Sequence, residues 1–179
     1  MNIRRIISCL TLSTLSLTLP VSSFAAADLK AGEAAVYDEL RAAIPKDKIK
    51  TVDDLYAKWQ DIQSGKSKAV IIDIRTEAEF DAGHILNSSN VDSGHAHGMY
   101  KKIEDPNAEI WVTCRTKHRA SYFVGMLYKY GYTNVYIAEG GIKAWAEKGY
   151  PLANKYLGTI KVTEYRKKLE EDYLSRENK

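Results

Sequence analysis

Cys114 is the residue of this sequence best placed for covalent chemistry. It ends the apolar segment 110–113 and is followed by the basic segment 115–119, after which the spacing of apolar residues becomes helical. Nearby cations, together with the N–H groups and partial positive charge at a helix N-terminus, favour the ionised form of a thiol. The sequence therefore predicts a reactive thiolate, although a lone cysteine is more often buried and structural.

Residues 114–119, which we call the thiol loop, carry groups that suit an anionic substrate beside the thiol. A short loop between a strand and a helix can turn its backbone N–H groups toward one point, where they bind an anion or a persulfide sulfur. Arg119 stands where the helix begins, so it could either contact a donor or brace this loop by hydrogen bonding to its carbonyl groups. In the alternative interpretation the loop charges are only solvated surface. The other candidates for substrate binding are Arg115, Thr116, Lys117 and His118.

Asp73 and Arg75 lie at the end of another apolar run, 69–74. A carboxylate in that place could act as a general base. Buried charges, however, usually persist because they are paired. We therefore expect Asp73 and Arg75 to support the site structurally rather than to act in catalysis, with Glu79 as the partner of Arg75.

All four histidines fall between positions 84 and 118, and two of them, His95 and His97, are only two residues apart. Residues at that spacing can share one face of a strand. A metal would need further ligands, and a metal bound to the thiolate would block its chemistry. We therefore predict no metal and no other cofactor. The hypothesis for His95 and His97 is a place on the rim of the pocket.

The segments around these residues alternate between helical and strand-like patterns. Such alternation predicts an α/β fold with a mainly parallel sheet, in which ligands bind at the carboxyl ends of the strands, where Cys114 falls. Segment 46–50 is predicted to be a charged connector. Predicted helices cover 28–44, 51–62, 77–82, 99–103, 120–131, a short stretch from 142, and 162–173; predicted strands cover 69–74, 90–91, 110–113 and 134–137.

The first residues of the chain are typical of a secretory signal peptide. Two arginines precede an uncharged apolar stretch, and small residues then offer cleavage after Ala25 or Ala27. The apolar stretch is short for a membrane span, so an uncleaved anchor is the less favoured alternative. We expect export to the periplasm, with residues 1–25 removed and no membrane span left. Cys9 would then be lost, and the remaining thiol could form no internal disulfide, which fits a thiol kept for chemistry.

Composition excludes some classes of partner. The formal net charge of the full sequence is +3, and loss of the two signal-peptide arginines would leave the mature chain nearly neutral. With no long basic run, nothing indicates nucleic-acid binding. The length after cleavage suits one domain. We divide it into an N-terminal helical extension at 26–50, a central domain at 51–153 and a C-terminal helical tail at 154–179.

The central stretch, from about Thr51 to Leu152, carries a set of short motifs in a characteristic order and spacing: 73–75, 79–80, 83–85, 114–119, 139–141, Trp145 and 149–151. With these motifs it resembles a single rhodanese domain. The resemblance implies an α/β rhodanese-like domain with a central, mainly parallel sheet flanked by helices, in which Cys114 accepts a sulfane sulfur and carries it as a persulfide. With its export signal the chain resembles the small periplasmic rhodaneses of Gram-negative bacteria, and its thiol loop is similar to that of periplasmic polysulfide-sulfur transferases.

A glycine is frequent in rhodaneses at the position that Lys117 occupies here. Lysine can adopt the same loop only if its φ stays negative or the strain is absorbed elsewhere. The substitution therefore bears on the shape of the loop, and it adds a positive charge beside the pocket.

The leading hypothesis is a periplasmic sulfurtransferase that takes sulfur from thiosulfate or polysulfide. Its partners would be a small anionic sulfur donor and a thiophilic acceptor, which could be a small molecule or another protein. One alternative is a non-catalytic persulfide carrier or docking partner of a sulfur-metabolising enzyme. A less favoured one is a cysteine-dependent phosphatase or arsenate reductase, since such enzymes of this fold have one more residue than the four between Cys114 and Arg119.

Overall fold

The computed structural model describes residues 28–162 of the 179-residue chain. Helices and strands alternate along it, as the sequence predicted. The helices are α1 Leu29–Ala42, α2 Val52–Gln63, α3 Glu77–Ala82, α4 His118–Lys129 and α5 Gly141–Glu147, with two 3-10 helices at Lys46–Lys48 and Ser93–Lys101. The strands are β1 Ile49–Thr51, β2 Val70–Asp73, β3 Ser89–Asn90, β4 Ile110–Thr113, β5 Val135–Glu139, β6 Leu152–Asn154 and β7 Gly158–Ile160.

Five of the strands form one sheet in the order β1-β5-β4-β2-β3, and every neighbouring pair is parallel. The predicted α/β class with a mainly parallel sheet is therefore confirmed. Strand β4 is the middle strand, and its last residue, Thr113, lies opposite Asp73 of β2. Cys114 follows directly, so the thiol lies at the carboxyl end of the central strand.

Side-chain caps explain where the helices beside the sheet begin. Thr51 and Asp54 form a capping box at α2, in which each side chain accepts the other's backbone N–H. Thr76 and Glu79 form the same motif at α3. Asp28 accepts from Ala31 N at 3.0 Å and starts α1. These caps confirm the predicted starts of the first two helices.

The central strand is buried on both faces, because helices cover each side of the sheet. Ile110, Val112 and Cys114 belong to the core cluster that includes Phe123 of α4. Trp111 points to the opposite face of the sheet, where it packs in a second cluster with Leu55 of α2 and Trp145 of α5. The thiol therefore lies on the α4 side of the sheet.

Three predicted segments differ from the structure. Ile49 and Lys50 of the expected connector, together with Thr51, form strand β1, because their backbone pairs with β5, with Ile49 opposite Ile137. The expected short helix at 99–103 is a 3-10 helix that begins and ends earlier, at Ser93–Lys101. Residues 154–160 are not helical: β6 and β7 form an antiparallel hairpin whose Leu152 packs into the core.

Two terminal predictions fall outside the part of the chain that the structure describes. The expected signal peptide, 1–25, precedes the described range 28–162. The expected helix at 162–173 shares only Val162 with that range. Among the helices within 28–162, none combines the length and the apolar character needed to span a bilayer.

Candidate active site

The Cys114 side chain lies at the base of the thiol loop and is only 1% exposed. It is the free cysteine of the described chain. The backbone N–H groups of Thr116, in the loop, and of Ala120, directly after it, donate to its sulfur. Ala120 belongs to the first turn of α4, where backbone N–H groups lack acceptors within the helix.

Burial has a larger effect on this thiol than the sequence suggested. It raises the pKa of Cys114 above its ordinary value, while the two N–H donors and the charge of Arg119 act against it. Asp73 adds a smaller effect that also raises the pKa. The predicted lowering of the thiol pKa is therefore wrong in this structure. Desolvation of the charged form outweighs the two N–H donors and the charge of Arg119, and the sequence alone could not weigh these effects.

The floor of the thiol loop is made by the N-terminus of α5. Ile142 N donates to the Cys114 carbonyl at 2.9 Å, and Lys143 N donates to the Arg115 carbonyl at 3.0 Å. Gly141 has a φ of +58°, and a Cβ atom there would lie 2.3 Å from the Cys114 carbonyl oxygen. Only glycine allows this close approach. The sequence indicated a turn at Gly141 but not this contact.

Arg119 braces the loop through a carboxylate rather than through loop carbonyls. Its two terminal nitrogens bind the two oxygens of Glu79 on α3, at 2.8 and 2.9 Å. The Arg119 guanidinium, with help from Thr76, lowers the pKa of Glu79 from 4.5 to about 2. The prediction that Glu79 pairs with Arg75 is therefore wrong: the capping box at the start of α3 turns this carboxylate toward the loop instead.

Arg75 pairs with Asp73, two residues before it. The Arg75 Nη2 atom lies 2.6 Å from Asp73 Oδ2 and also donates to the Gly83 carbonyl at 2.6 Å. Asn90 donates to the carbonyl groups of both residues. The two charges are almost fully buried and paired, and they join β2 to the end of α3.

Four residues of the loop are exposed: Arg115, Thr116, Lys117 and His118. Lys117 has a φ of −158°, so its side chain causes no backbone strain where a glycine is frequent. Within residues 28–162, no carboxylate forms an ion pair with Lys117. The charge of Lys117 is thus left uncompensated by a neighbouring carboxylate of the described chain.

The side chain of His118 lies against α1 and is 60% exposed. Its ring stacks on Tyr37, with centroids 4.7 Å apart and planes 7° from parallel. Its Nε2 atom lies 3.3 Å from a carboxylate oxygen of Glu33. The N-terminal helix therefore covers this side of the thiol loop.

The structure does not bring His95 and His97 into one site with Cys114. Their rings are 6.1 Å apart in the 3-10 helix. His97 lines a cavity of about 520 Å³ with Tyr100, Tyr130 and other residues, and His95 lines a separate one of about 460 Å³. No group of three or more histidine, cysteine or acidic side chains close enough to hold a metal ion occurs in the described chain.

Comparisons with known proteins agree with this architecture. The Rhodanese-like domain family matches residues 51–148. The thiosulfate sulfurtransferase GlpE of Pseudomonas entomophila is 32% identical over 81 residues, which are 43% of this chain and 70% of the relative.

Two solved structures share the fold at lower identity. The polysulfide-sulfur transferase homodimer of Wolinella succinogenes is 23% identical, with a TM-score of 0.55 over 73% of this chain and 93% of that one. A Rhodopseudomonas palustris protein of unknown function, described as a possible tyrosine phosphatase, is also 23% identical, with a TM-score of 0.56 over 66% and 92%. At this identity the likeness extends to the fold alone.

Proposed function

We propose that this chain, which belongs to the rhodanese-like family, transfers a sulfane sulfur from thiosulfate or polysulfide through Cys114 to a thiophilic acceptor. The observation that carries the proposal is the thiol loop itself: Sγ of Cys114 lies under backbone N–H donors at the carboxyl end of the central strand. That arrangement can hold the extra sulfur of a persulfide. The relationship to a thiosulfate sulfurtransferase supports thiosulfate as one donor.

The reaction is two displacements at sulfur. The Cys114 thiol first loses its proton to solvent, and its thiolate attacks the outer sulfur of thiosulfate. The sulfur–sulfur bond of the donor breaks, and sulfite leaves with the electron pair. A thiophilic acceptor then attacks the outer sulfur of the persulfide, and the Cys114 thiolate leaves. No net oxidation or reduction of the protein occurs.

The contacts of Arg119 argue against phosphatase or arsenate reductase activity. A phosphate cradle needs the arginine fork directed at the oxyanion, whereas both terminal nitrogens of Arg119 bind Glu79. The loop is also one residue shorter than expected for those enzymes. A site of this size and charge favours a sulfur atom over a tetrahedral oxyanion.

The test is the intact mass of the protein after incubation with thiosulfate or with polysulfide, followed by cyanide. We expect a gain of one or more sulfur atoms that cyanide removes as thiocyanate. Cys114→Ser should show neither gain nor turnover, because a serine hydroxyl is not ionised at neutral pH. Sulfur transfer by that variant would refute the proposal. Loading without turnover on small acceptors, but with transfer to a protein thiol, would indicate the carrier alternative.

Export to the periplasm is the second part of the proposal, and it is supported by the charge and apolar pattern of the first 25 residues. Osmotic shock of expressing cells should release a protein whose N-terminus lies near Ala26 or Asp28. Recovery of a chain that retains Met1 in the membrane fraction would contradict it.

A further inference from the structure

Helix α1 contacts the thiol loop although it lies outside the matched residues 51–148. Its main partner in the fold is α4, the helix that begins within the loop. Arg41 lies in the last turn of α1, and its guanidinium extends toward the residues that support the loop. The two terminal nitrogens of Arg41 have different acceptors: Nη1 lies 3.3 Å from Ser121 Oγ, and Nη2 lies 2.5 Å from Glu139 Oε1.

The contact of Arg41 with Ser121 connects α1 to the middle of the thiol loop. The Ser121 side chain is buried, and its hydroxyl donates to the Lys117 carbonyl at 3.2 Å. The same oxygen accepts from Arg41 and, at 3.4 Å, from the hydroxyl of Tyr37. The Ser121 hydroxyl thereby uses its one donor and both of its acceptor lone pairs. Arg41 thus holds the serine in the rotamer that fixes the carbonyl of Lys117.

The contact of Arg41 with Glu139 connects α1 to the floor of the loop. Glu139 is the last residue of β5, and Gly141 begins α5 two residues later. The next amide, of Ile142, donates to the Cys114 carbonyl. Arg41 therefore restrains the turn that holds the carbonyl of the reactive residue, in addition to the carbonyl of Lys117.

We propose that Arg41 is a positioning residue for the thiol loop, which it clamps at two points: at the Lys117 carbonyl through Ser121, and at the Cys114 carbonyl through Glu139 and the turn into α5. This inference rests on the proposed function only where turnover is measured, because the same clamp controls the reactivity of the Cys114 thiol toward any reagent. A guanidinium is well suited to this role, because it is planar and permanently charged and donates to two acceptors in fixed directions. The Arg41 side chain is 24% exposed, so the contacts are partly shielded from solvent.

Loosening the clamp should affect chemistry more than binding. The N–H groups of Thr116 and Ala120 reach Sγ only while the loop keeps its shape. Small displacements of reacting groups are costly, so we expect Arg41→Ala to lower kcat with thiosulfate about 10-fold and to change KM less than about threefold. Alkylation of Cys114 by iodoacetamide should require a higher pH in this variant, because the thiolate loses donors.

The matched control is Glu39→Gln. Glu39 lies on the same helix and pairs with Lys129 at the far end of α4. This substitution removes an α1–α4 ion pair without touching the loop. We expect kcat and the pH profile of alkylation to stay within about twofold of the original protein, since exposed pairs contribute little. Arg41→Lys, which keeps the charge but loses the two-pronged geometry, should fall between the original protein and Arg41→Ala.

Thiosulfate kinetics, the alkylation pH profile and urea unfolding should be measured on all three variants of the full chain. A fall in kcat and a displaced alkylation profile for Arg41→Ala, absent from Glu39→Gln, would support the clamp. Equal behaviour of the two variants would overturn it. If the unsubstituted protein transfers no sulfur, the proposed function fails, and the alkylation profiles alone decide on the clamp. If Arg41→Ala does not fold, Arg41→Lys is compared with Glu39→Gln in the same way.

Discussion

On its α3 side the thiol loop is held by one charge pair, and on its α1 side by a ring stack and a hydrogen-bonded serine. The pair on the first side joins Arg119 to Glu79, and each of these side chains is 35% exposed. On the second side His118 stacks on Tyr37, and Ser121 is fully buried. The first support lies within the matched domain, and the second depends on a helix outside it.

The difference shows how one loop can have two kinds of support. The charge pair acts on the thiol directly, because the Arg119 charge lowers the pKa of Cys114 against the effect of burial. The α1 side acts through packing and through the Lys117 carbonyl. Changes on the α3 side should therefore appear mainly in chemistry, pH dependence and salt dependence. Changes in the ring stack should appear mainly in stability.

Arg119→Ala should have the largest effect of the substitutions considered for this comparison. It removes a charge near the thiolate and leaves Glu79 without its partner, so we expect kcat/KM for thiosulfate to fall about 100-fold. Arg119→Lys should retain part of the activity, because lysine keeps the charge without the two-pronged contact. Steady-state kinetics measure both. A loss below threefold in Arg119→Ala would mean that the α3 side only supports the fold.

Tyr37→Ala tests the α1 side. Loss of the His118 stack and of the partly buried ring should lower the free energy of unfolding by about 1.5 kcal/mol. Urea unfolding at low and high salt would measure it, and the loss should be the same at both because packing is not screened. Tyr37→Phe keeps the ring and is the control. Equal losses in the two variants would show that the hydroxyl, rather than the stack, is the stabilising group.

The Glu79 charge pair should make stability depend on pH in the acid range. The pKa of Glu79 is lowered from 4.5 to about 2 in the folded chain. Its ionisation therefore stabilises the fold above the unfolded-state value, and this contribution is lost as pH falls from about 4.5 toward 2.

Because the pair is about a third exposed, we expect the contribution to be about 1 kcal/mol after screening. Glu79→Gln keeps a side chain that can cap α3 and removes the charge. Urea unfolding should separate the two proteins at pH 7 and bring them together near pH 2. A difference that persisted unchanged at pH 2 would assign the effect to the cap instead of the charge.

Lys117→Gly should have the smallest effect. Lys117 is exposed and its φ is one that glycine also adopts, so the change removes a charge with little effect on loop shape. We expect the KM for thiosulfate to rise about threefold at low salt and the difference to vanish at high salt. Lys117→Ala separates loss of charge from added backbone freedom. An unchanged KM and salt dependence would show that this charge is only solvated surface.

Local patterns were enough to predict most elements of the sheet and the place of the thiol. The apolar run before Cys114 predicted β4, and the threonine at position 51 predicted the start of α2. The order and spacing of the motifs carried the resemblance to a rhodanese domain, which the match over 51–148 confirms. Strand β1 and the β6–β7 hairpin were missed, because their three-residue strands are defined by their pairing partners rather than by a local pattern.

The sequence by itself determined that one thiol stands between a central strand and a helix, among four basic side chains, in a parallel α/β domain. These features follow from periodicity and from residue order, which are local. Only the tertiary structure decided which carboxylate each cation meets: Glu79 turns to Arg119, and Arg75 turns to Asp73. It also decided that burial raises the pKa of Cys114 against the charge of Arg119 and the loop's N–H donors. Desolvation and pairing depend on distances between segments far apart in the chain, and no local pattern contains those distances.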